Sequence, residues 1–535
     1  MNKSLSSKVK ILDCTFRDGG YYNNWDFDKE FASNYLNTMS LSSVEYVEIG
    51  FRFLPKNKFL GPYAYTTDDF LSKIDLPENL TYGVMINGKE YIENNIPLCE
   101  FFSKKEDSKI SLVRIAINFD GALSAKRLAS ELKDLGYIVG FNLMQSNGKT
   151  KEEYSDIAKE ITSWDTVDVL YFADSLGNMY PNDVKRITES LKLSWKKDIG
   201  IHTHNNKSLA LSNSLEAVES GVTWIDGTIT GMGRGAGNVE TENLLLEICN
   251  EHKNEESLKS LIRTVEDFND LKRDYKWGPS IFYNYAATKN IHPTYTQNIL
   301  NDDRYNDHDI VSTLKGLSKQ KSSSYSEELL RKATYGSNNN VYGQFKTKNF
   351  LQDKEVVLLG AGPSVIRYKE PIEEYISRNK PYVISLNVHH HVDKKHINLI
   401  CACHETRILA EQNLYKNFNC KLLTPFSKTQ SLLNDTISDE FIVDYGLSIK
   451  QNSFNVFDNY CELESPLAVA YSLAFCMASG AKNVSLVGFD GYAHEDLRQS
   501  EVEAMLLRYY SNKEHIDICS LTPTSYNIRI GSLFL

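Results

Sequence analysis

The fold is decided by residues 167–204, which read VDVLYFADSLGNMYPNDVKRITESLKLSWKKDIGIHTH. The apolar run Val167–Phe172 is followed by a helix-length polar–apolar pattern over Asn182–Leu191 and then by a second apolar run, Ile199–His202. Short apolar runs that alternate with amphipathic helical stretches are typical of parallel βαβ units. The segment therefore predicts two parallel strands joined by a helix.

The same alternation extends on both sides of this segment. Six further runs of the same kind are Val9–Cys14, Val44–Ile49, Tyr82–Ile86, Ser111–Ile117, Tyr137–Leu143 and Val222–Ile229. With the two runs above, they make eight strand candidates. Eight βα units and no ninth predict a closed (β/α)8 barrel, and the alternative that fits the same pattern is a doubly wound open sheet.

The rest of the chain predicts an α/β protein with a second domain. We assign residues 1–265 to the barrel, 266–335 to a helical extension, 336–353 to a linker that includes Ser337–Asn340, and 354–535 to a further α/β domain. The linker assignment rests on its richness in Ser, Lys, Asn and Gln. The further domain opens with the apolar run Val356–Leu359, which leads into a glycine-rich turn.

Composition and charge exclude several classes of protein. The chain has 535 residues, and 59 basic against 70 acidic side chains give a net charge of −11, which argues against a nucleic-acid partner. Its nine cysteines include no CxxC pair with zinc-site spacing. No apolar run is long enough to span a membrane, and the first ten residues are polar. We therefore expect a cytoplasmic globular enzyme, and we expect it to form a homo-oligomer.

The barrel prediction requires polar groups at the carboxyl ends of the strands, where active sites of this architecture lie. Such groups are present after or at the end of most of the eight runs. They are Asp18, Glu48, Asn142, Asp174, His202, His204 and Thr228. We take Asn142, Asp174 and Thr228 as candidate substrate-binding residues.

A metal site is the sharpest local prediction. His202 and His204 occupy alternate positions of one strand, so their side chains point to the same face. Asp18 follows strand one, which a closed barrel places two strands away from strand seven. Two histidines and one carboxylate form a common divalent-metal set, and Asn238 is a candidate fourth ligand. The alternative is a pair of histidines that only make hydrogen bonds.

The loop after strand eight reads Gly231-Met-Gly-Arg-Gly-Ala-Gly-Asn238, and its glycines permit close backbone approach to a ligand. We expect it to close over the metal and substrate, with Arg234 binding the substrate. Arg17, next to Asp18, is a candidate for holding a substrate carboxylate or a developing enolate oxygen. The alternative for Arg17 is a salt bridge to Asp13 or Glu48.

Four motifs in order, Leu12–Gly19, Glu48, His202–Asn206 and Gly231–Asn238, resemble those of the DRE-TIM metallolyases, and the glycine-rich loop is most similar to that of 4-hydroxy-2-oxovalerate aldolases. The resemblance covers residues 8–260. It implies a metal-dependent pyruvate aldolase that uses Mn²⁺, Mg²⁺ or Co²⁺. It also implies Asp18, His202 and His204 as metal ligands and Arg17 as the cation that stabilises the enolate.

One departure from the family concerns the catalytic base. Aldolases of this type carry a histidine just after the Arg-Asp-Gly segment, and this chain has Tyr21 at that position. A phenol with an ordinary pKa of about 10 is a poorer base at neutral pH. We keep Tyr21 as a candidate catalytic residue together with Arg17 and Glu48, and the acceptor aldehyde is open.

The C-terminal part resembles the bacterial sialyltransferase-like fold and its motility-accessory relatives over residues 354–530. The resemblance rests on Gly360-Ala-Gly-Pro-Ser364, on Ser385–Asn387 and on two later motifs, 463–470 and 481–492. It implies binding of CMP or a CMP-sugar, with Gly360, Gly362, Ser364 and Asn387 as the nucleotide contacts.

Together the two halves predict an enzyme of surface polysaccharide biosynthesis that joins pyruvate to an aldehyde to form a 4-hydroxy-2-oxo acid, with a 3-deoxy-2-ulosonic acid as one option. One rival is a Claisen-type acyl-CoA lyase or synthase on the same barrel. The other is a C-terminal domain that binds a nucleotide without catalysis, as a scaffold.

Overall fold

The computed structural model describes residues 9–250, 253–302, 305, 307–335, 341–388, 391–415, 420–433, 437–492 and 496–534. The chain forms two compact units. One contains Met1–Asn301 and Lys321–Tyr325, and the other contains Asp302–Gln320 and Ser326–Leu535. The predicted linker residues Ser337–Asn340 lie outside the described residues.

The first unit contains a closed barrel of eight parallel strands. They are β1 (Lys10–Asp13), β2 (Tyr46–Phe51), β3 (Thr81–Asn87), β4 (Ile110–Asn118), β5 (Ile138–Met144), β6 (Val169–Asp174), β7 (Asp198–Thr203) and β8 (Trp224–Gly227). The barrel closes between β1 and β8, where Ile11 lies opposite Ile225. Each strand overlaps one predicted apolar run, so the barrel is confirmed and the open sheet is wrong.

Helices surround the barrel. They are α1 (Thr15–Asn23), α2 (Lys29–Leu41), α3 (Pro62–Tyr65), α4 (Asp68–Leu71), α5 (Gly88–Glu93), α6 (Lys126–Asp134), α7 (Lys151–Trp164), α8 (Pro181–Lys192), α9 (Ala210–Glu219) and α10 (Thr241–Leu244). Helix α7 shows why such segments are helical. Thr150 and Glu153 form a capping box at its start. Its buried residues recur at a helical spacing, so one face packs on the barrel.

Residues 266–335 are largely helical, as predicted, but their helices divide between the two units. They are α11 (Glu255–Tyr275), α12 (Ile281–Thr288), α13 (Pro293–Leu300), α14 (Asp307–Ser318) and α15 (Glu327–Tyr335). Helices α11 to α13 belong to the barrel unit, whereas α14 and α15 belong to the second unit. The Thr38 and Thr264 hydroxyls lie 2.8 Å apart and fix α11 against α2.

The second unit is built on an eight-stranded parallel sheet in the order β13-β12-β11-β10-β9-β17-β18-β19. The strands are β9 (Glu355–Leu359), β10 (Tyr382–Leu386), β11 (Leu399–Cys401), β12 (Lys421–Thr424), β13 (Ile442–Asp444), β17 (Asn483–Val487), β18 (Ile518–Ser520) and β19 (Arg529–Ile530). A separate sheet contains β14 (Gly446–Ile449), β15 (Phe454–Val456) and β16 (Tyr460–Leu463).

The helices of the second unit after β9 are α16 (Pro363–Arg367), α17 (Lys369–Asn379), α18 (Glu405–Tyr415), α19 (Phe426–Leu433), α20 (Ala468–Ala478) and α21 (Leu497–Ser511). Helix α20 is almost fully buried, and its apolar sequence explains this, because a helix that is hydrophobic all round must lie inside a core. Within the described part of the chain, no helix combines the length and the apolar character that crossing a bilayer requires.

Candidate metal centre

The three predicted metal ligands meet at the carboxyl end of the barrel. Asp18 lies in the first turn of α1, which begins two residues after β1 ends, while His202 is in β7 and His204 directly follows it. One ligand atom from each of the three lies within 4.8 Å of the others. All three residues are buried. The juxtaposition predicted from the sequence is therefore present.

Hydrogen bonds orient both imidazoles. His202 donates from Nδ1 to Asp226 Oδ2 at 2.9 Å, and His204 donates from Nδ1 to the Asp174 carbonyl at 2.8 Å. Since a carboxylate and a carbonyl only accept, each ring presents its Nε2 lone pair at the other end. His202 Nε2 is buried without a hydrogen-bond partner and lies 3.6 Å from Asp18 Oδ2.

These residues fit a divalent cation. An orphaned imidazole nitrogen next to a carboxylate oxygen is the arrangement that a metal ion satisfies, because both groups donate electron pairs. Burial raises the pKa of Asp18, but the Arg17 guanidinium outweighs it and holds that pKa well below its usual range. Burial lowers the pKa of His204 to about 3, with His202 adding to the shift. Asp18 is therefore anionic and His204 neutral at physiological pH, as metal ligation requires.

A ring of alternating charges supports the ligands from beneath. Arg17 bonds Asp18 and Glu48 at 2.7 Å each. Arg114, in β4, bonds Glu48 at 2.6 Å and Asp226 at 2.7 Å. Asp226 in turn holds His202, whose other nitrogen faces Asp18. The ring contains five fully charged groups, and each one has an opposite charge within bonding distance, which buried ions require.

The ring bears on the expectations for Glu48 and Arg17. Glu48 was a candidate catalytic residue, but its side chain is buried beneath Arg17 and Arg114 and it is not among the residues that line the cavity. Its observed contacts are those of a residue that positions Arg17. For Arg17 the alternative of a salt bridge to Glu48 is observed, whereas Asp13 instead accepts hydrogen bonds from Thr15, Tyr35 and Thr241. Arg17 nevertheless lines the cavity.

The glycine-rich loop approaches the ligands closely, as expected. A Cβ atom at Gly233 would lie 2.8 Å from Asp18 Oδ2 and 2.5 Å from Asn238 Nδ2, so no larger residue fits there without displacement. Asn238 donates from Nδ2 to Asp18 Oδ2, and its own Oδ1 is buried without a partner. In this orientation Asn238 steadies the Asp18 carboxylate, and its role as a fourth ligand stays a prediction.

A cavity of about 240 Å³ opens above the three ligands. It is lined by Arg17, Asp18, Tyr21, Phe51, Phe53, Met85, Asn87, Ala116, Asn118, Asn142, Met144, Gln145, Ala173, Ser175, His202, His204, Arg234 and His292. Desolvation raises the pKa of Tyr21 above its ordinary value, although Arg234 opposes the shift. The Tyr21 phenol therefore keeps its proton at neutral pH and is a hydrogen-bond donor in the cavity.

Of the four predicted substrate-binding residues, the structure places two in this cavity. Asn142 lines it with an amide oxygen that has no partner, and Arg234 lines it from the glycine-rich loop. Asp174 does not line it, because its carboxylate accepts from the Asn178 and Met179 backbone and its carbonyl holds His204. Thr228 is fully buried and likewise lies outside the lining.

Three residues near the site have no role predicted from the sequence. His292 lines the cavity from the start of α13, and its Nδ1 accepts from the Thr294 backbone. Burial lowers its pKa to about 2, with Arg234 adding to the shift. Asp226 and Arg114 complete the charge ring. An arginine within the apolar run Ser111–Ile117 was a usable signal, because a buried guanidinium requires carboxylate partners.

In the second unit, the predicted nucleotide contacts lie in two places. Ser364 is bonded to Asp490 through both its backbone N–H, at 3.1 Å, and its hydroxyl, at 2.7 Å. A Cβ at Gly362 would lie 2.1 Å from Asp490 Oδ2 and one at Gly360 2.7 Å from the Gly488 carbonyl, so this turn packs against the loop after β17. Asn387 instead lines a separate cavity of about 260 Å³.

Comparison with known proteins gives matches to the barrel. The HMGL-like family matches residues 100–270. A 4-hydroxy-2-oxovalerate aldolase of Carboxydothermus hydrogenoformans is 30% identical over 245 residues, which are 45% of this chain and 70% of that protein. One from Pelotomaculum thermopropionicum is 31% identical over 44% of this chain and 69% of its own length. The solved N-terminal domain of a Bacteroides vulgatus protein is 31% identical, with a TM-score of 0.48, over 54% of this chain and 94% of that domain.

Proposed function

The chain belongs to the 4-hydroxy-2-oxovalerate aldolase family of metal-dependent carbon–carbon lyases, and from this premise we propose that its barrel joins pyruvate to an aldehyde or cleaves the 4-hydroxy-2-oxo acid that results. The observation that carries the proposal is the meeting of Asp18, His202 and His204 beside Arg17 in one cavity. Mn²⁺ suits this set of two imidazoles and one carboxylate, with Mg²⁺ or Co²⁺ as alternatives.

Asp18, His202 and His204 would hold a divalent ion, which would supply Lewis acidity toward the oxygens of a 2-oxo acid. Arg17 contributes a second positive charge beside that position. When a proton passes from the methyl carbon of pyruvate to solvent, negative charge develops on the C2 oxygen, and a fixed guanidinium stabilises that charge. Glu48 and Asp18 hold Arg17 from two sides, so the guanidinium does not have to reorganise during the reaction.

Tyr21 is the proton donor of this proposal. Carbon–carbon bond formation places negative charge on the aldehyde oxygen, which takes a proton as the alcohol forms. The protonated phenol of Tyr21 lines the cavity and supplies that proton, and in the cleavage direction the same oxygen takes it back. His292 has its Nδ1 occupied by the Thr294 N–H, so its Nε2–H is a further donor in the cavity.

Exchange of the pyruvate methyl protons in D₂O tests the pyruvate chemistry without any aldehyde. We expect exchange with Mn²⁺, loss of exchange with EDTA, and recovery when Mn²⁺ is restored. The variant Asp18→Asn removes a ligand, and Asp165→Asn, which changes an exposed aspartate, is the matched control. Exchange that persists in EDTA contradicts the proposal. A requirement for acetyl-CoA would instead favour the Claisen-type alternative.

For the second unit we propose binding of CMP or a CMP-sugar in the cavity that Asn387 lines. The cavity lies beyond the carboxyl ends of β10 and β11, the edge at which open α/β sheets bind ligands. Arg407 and Arg498 are also among its lining residues, and guanidinium groups suit a phosphate. Such a unit joined to a pyruvate aldolase suits surface polysaccharide synthesis, with a 3-deoxy-2-ulosonic acid as the aldol product.

Calorimetric titration of CMP into the full chain tests this second assignment. We expect binding that Asn387→Ala weakens, while the exposed Asn379→Ala leaves it unchanged. Absence of CMP binding contradicts the assignment. Binding without sugar transfer supports the alternative of a nucleotide-binding scaffold that does not catalyse.

A further inference from the structure

Resting on the proposed aldol chemistry, the geometry points to an acceptor aldehyde that carries a second, anionic group, a carboxylate or a phosphate, which Arg234 binds. Membership of the family does not identify the acceptor aldehyde of this chain. The inference comes from the charges and hydrogen-bond donors of the cavity itself. Neither the pyruvate nor the metal ion of the proposed reaction uses Arg234.

Arg234 is the cation of the cavity without an acidic partner. Arg17 is bonded to two carboxylates, but the Arg234 side chain makes no hydrogen bond or ion pair with any residue that the structure describes, and its Nε atom is buried. The guanidinium carbon of Arg234 lies over the Tyr21 ring, 5.5 Å from its centre. The ring face does not satisfy the buried Nε–H of Arg234, and a buried donor without an acceptor is costly.

The backbone that presents Arg234 is fixed on both sides. The Gly235 N–H donates to Gln297 Oε1 at 3.2 Å, and the Gly235 carbonyl accepts from the Tyr22 hydroxyl at 3.0 Å. Gly233 is pressed against Asp18 and Asn238. The side chain therefore extends from a loop that is already in place, and a preorganised cation loses little freedom when it binds an anion.

The net charge of the groups in and beneath the cavity also indicates an anionic acceptor. The two arginines and three carboxylates of the buried ring sum to one net negative charge, and His202 adds no charge when its Nε2 holds the metal ion. A divalent ion and one pyruvate anion together bring that set to neutrality. The charge of Arg234 then remains as one uncompensated positive charge in a partly buried cavity, and one further anion neutralises it.

The polar part of the remaining wall suits a hydroxylated chain between the aldehyde and the anion. Four amide side chains line the cavity, Asn87, Asn118, Asn142 and Gln145, together with the hydroxyl of Ser175. The Asn142 oxygen is buried without a partner and accepts from a hydroxyl. The inferred substrate class is therefore a short aldehyde with a terminal carboxylate or phosphate, hydroxylated along its length.

Matched pairs of aldehydes test the inference with the full Mn²⁺-loaded chain and pyruvate. Succinic semialdehyde is compared with its neutral methyl ester, and glyceraldehyde 3-phosphate with glyceraldehyde. We expect kcat/KM to favour the anionic member of at least one pair by about 10- to 100-fold, the range for a charge-assisted hydrogen bond. The pair that shows the preference distinguishes carboxylate from phosphate.

Variants assign the preference to Arg234. In Arg234→Met we expect the anionic-to-neutral ratio to fall to within about threefold of unity, whereas Arg234→Lys retains part of the preference because it keeps the charge. Arg263→Met, which changes an exposed arginine of α11, keeps the wild-type ratio. Thermal melting confirms that each variant is folded.

Two failures are distinguishable. Pyruvate methyl exchange together with equal kcat/KM for both members of both pairs overturns this inference and leaves the aldol chemistry standing. Absence of methyl exchange overturns the aldol chemistry and this inference with it. An anionic preference that survives in Arg234→Met also overturns the inference, because another group must then bind the anion.

Discussion

His202 donates its Nδ1 proton to Asp226 Oδ2 over 2.9 Å, and this bond fixes which nitrogen of the imidazole faces Asp18. Asp226 is itself held by Arg114, whose Nη1 lies 2.9 and 2.7 Å from the two carboxylate oxygens of Asp226. Orientation of a metal-binding histidine by a carboxylate fixes its tautomer and raises its strength as a ligand. Asp226 is therefore a positioning residue for the candidate metal site.

Replacement of Asp226 tests that relationship. We expect Asp226→Asn to weaken Mn²⁺ binding by about 10- to 100-fold, because the neutral amide supports His202 less strongly and deprives Arg114 of a charge partner. Calorimetric titration of Mn²⁺ into the metal-free chain measures the change. Asp198→Asn is the control, since Asp198 lies at the opposite end of β7 and bonds Lys10 and Trp224. An unchanged dissociation constant would show that Asp226 does not position the ligand.

Metal binding is also expected to stabilise the folded chain. A ligand that binds only the native state adds about 4 kcal/mol when its concentration is a thousand times the Kd. We therefore expect saturating Mn²⁺ to raise the melting temperature by several degrees and EDTA to reverse the rise. Asp18→Asn should abolish most of it, and Asp165→Asn should not. Equal shifts in the two variants would place the ion elsewhere.

Tyr21 is expected to act on the aldehyde and not on pyruvate. Tyr21→Phe removes the phenolic proton but keeps the ring against Arg234. We expect carbon–carbon bond formation to slow by about 10²- to 10⁴-fold, the usual contribution of a positioned acid, while the pyruvate methyl exchange is affected far less. Mass spectrometry and proton NMR follow the two rates. Equal losses in both would instead place Tyr21 in the pyruvate step.

Glu242 predicts a pH dependence of stability. Burial, with smaller contributions from Glu240 and Asp13, raises its pKa to about 7, although it accepts from the Thr230 N–H. The folded state therefore binds this proton more tightly than the unfolded state, so this contribution is complete near pH 4 and is lost as the pH rises to 7. Its size is at most about 3 kcal/mol.

Thermal unfolding between pH 5 and pH 8 measures the effect. We expect the melting temperature of Glu242→Gln to fall less over this range than that of the wild-type chain, because the amide has no proton to lose. The comparison isolates Glu242 from other groups with raised pKa values, such as Asp174. Parallel curves for the two proteins would show that Glu242 is not protonated in the folded state.

The barrel and its candidate metal ligands were accessible from the sequence because their signals are local. Each strand is a short apolar run, and the register of His202 and His204 follows from the two-residue repeat of a strand. Their approach to Asp18 follows from barrel closure, which the count of eight strands predicts. The lining of the cavity by Arg234 follows from its place in the loop after β8.

The remaining features depend on contacts between distant residues. Arg114 and Asp226 are 112 positions apart, and Ser364 and Asp490 are 126 apart, so no local pattern indicates either pair. Glu48 was placed among the catalytic candidates because it ends a strand. Its partner Arg114 comes from β4, which the position of Glu48 in the sequence does not indicate. The three-stranded sheet of the second unit was missed because strands of three or four residues carry too few positions for a periodic signal.

The most direct test of the metal site is a crystal structure of the full chain soaked in Mn²⁺, with anomalous scattering used to locate the ion. We expect one strong peak at about 2.0–2.2 Å from a carboxylate oxygen of Asp18 and from Nε2 of His202 and His204. A Mn²⁺ peak elsewhere, with these three side chains bonded only to one another, would contradict it.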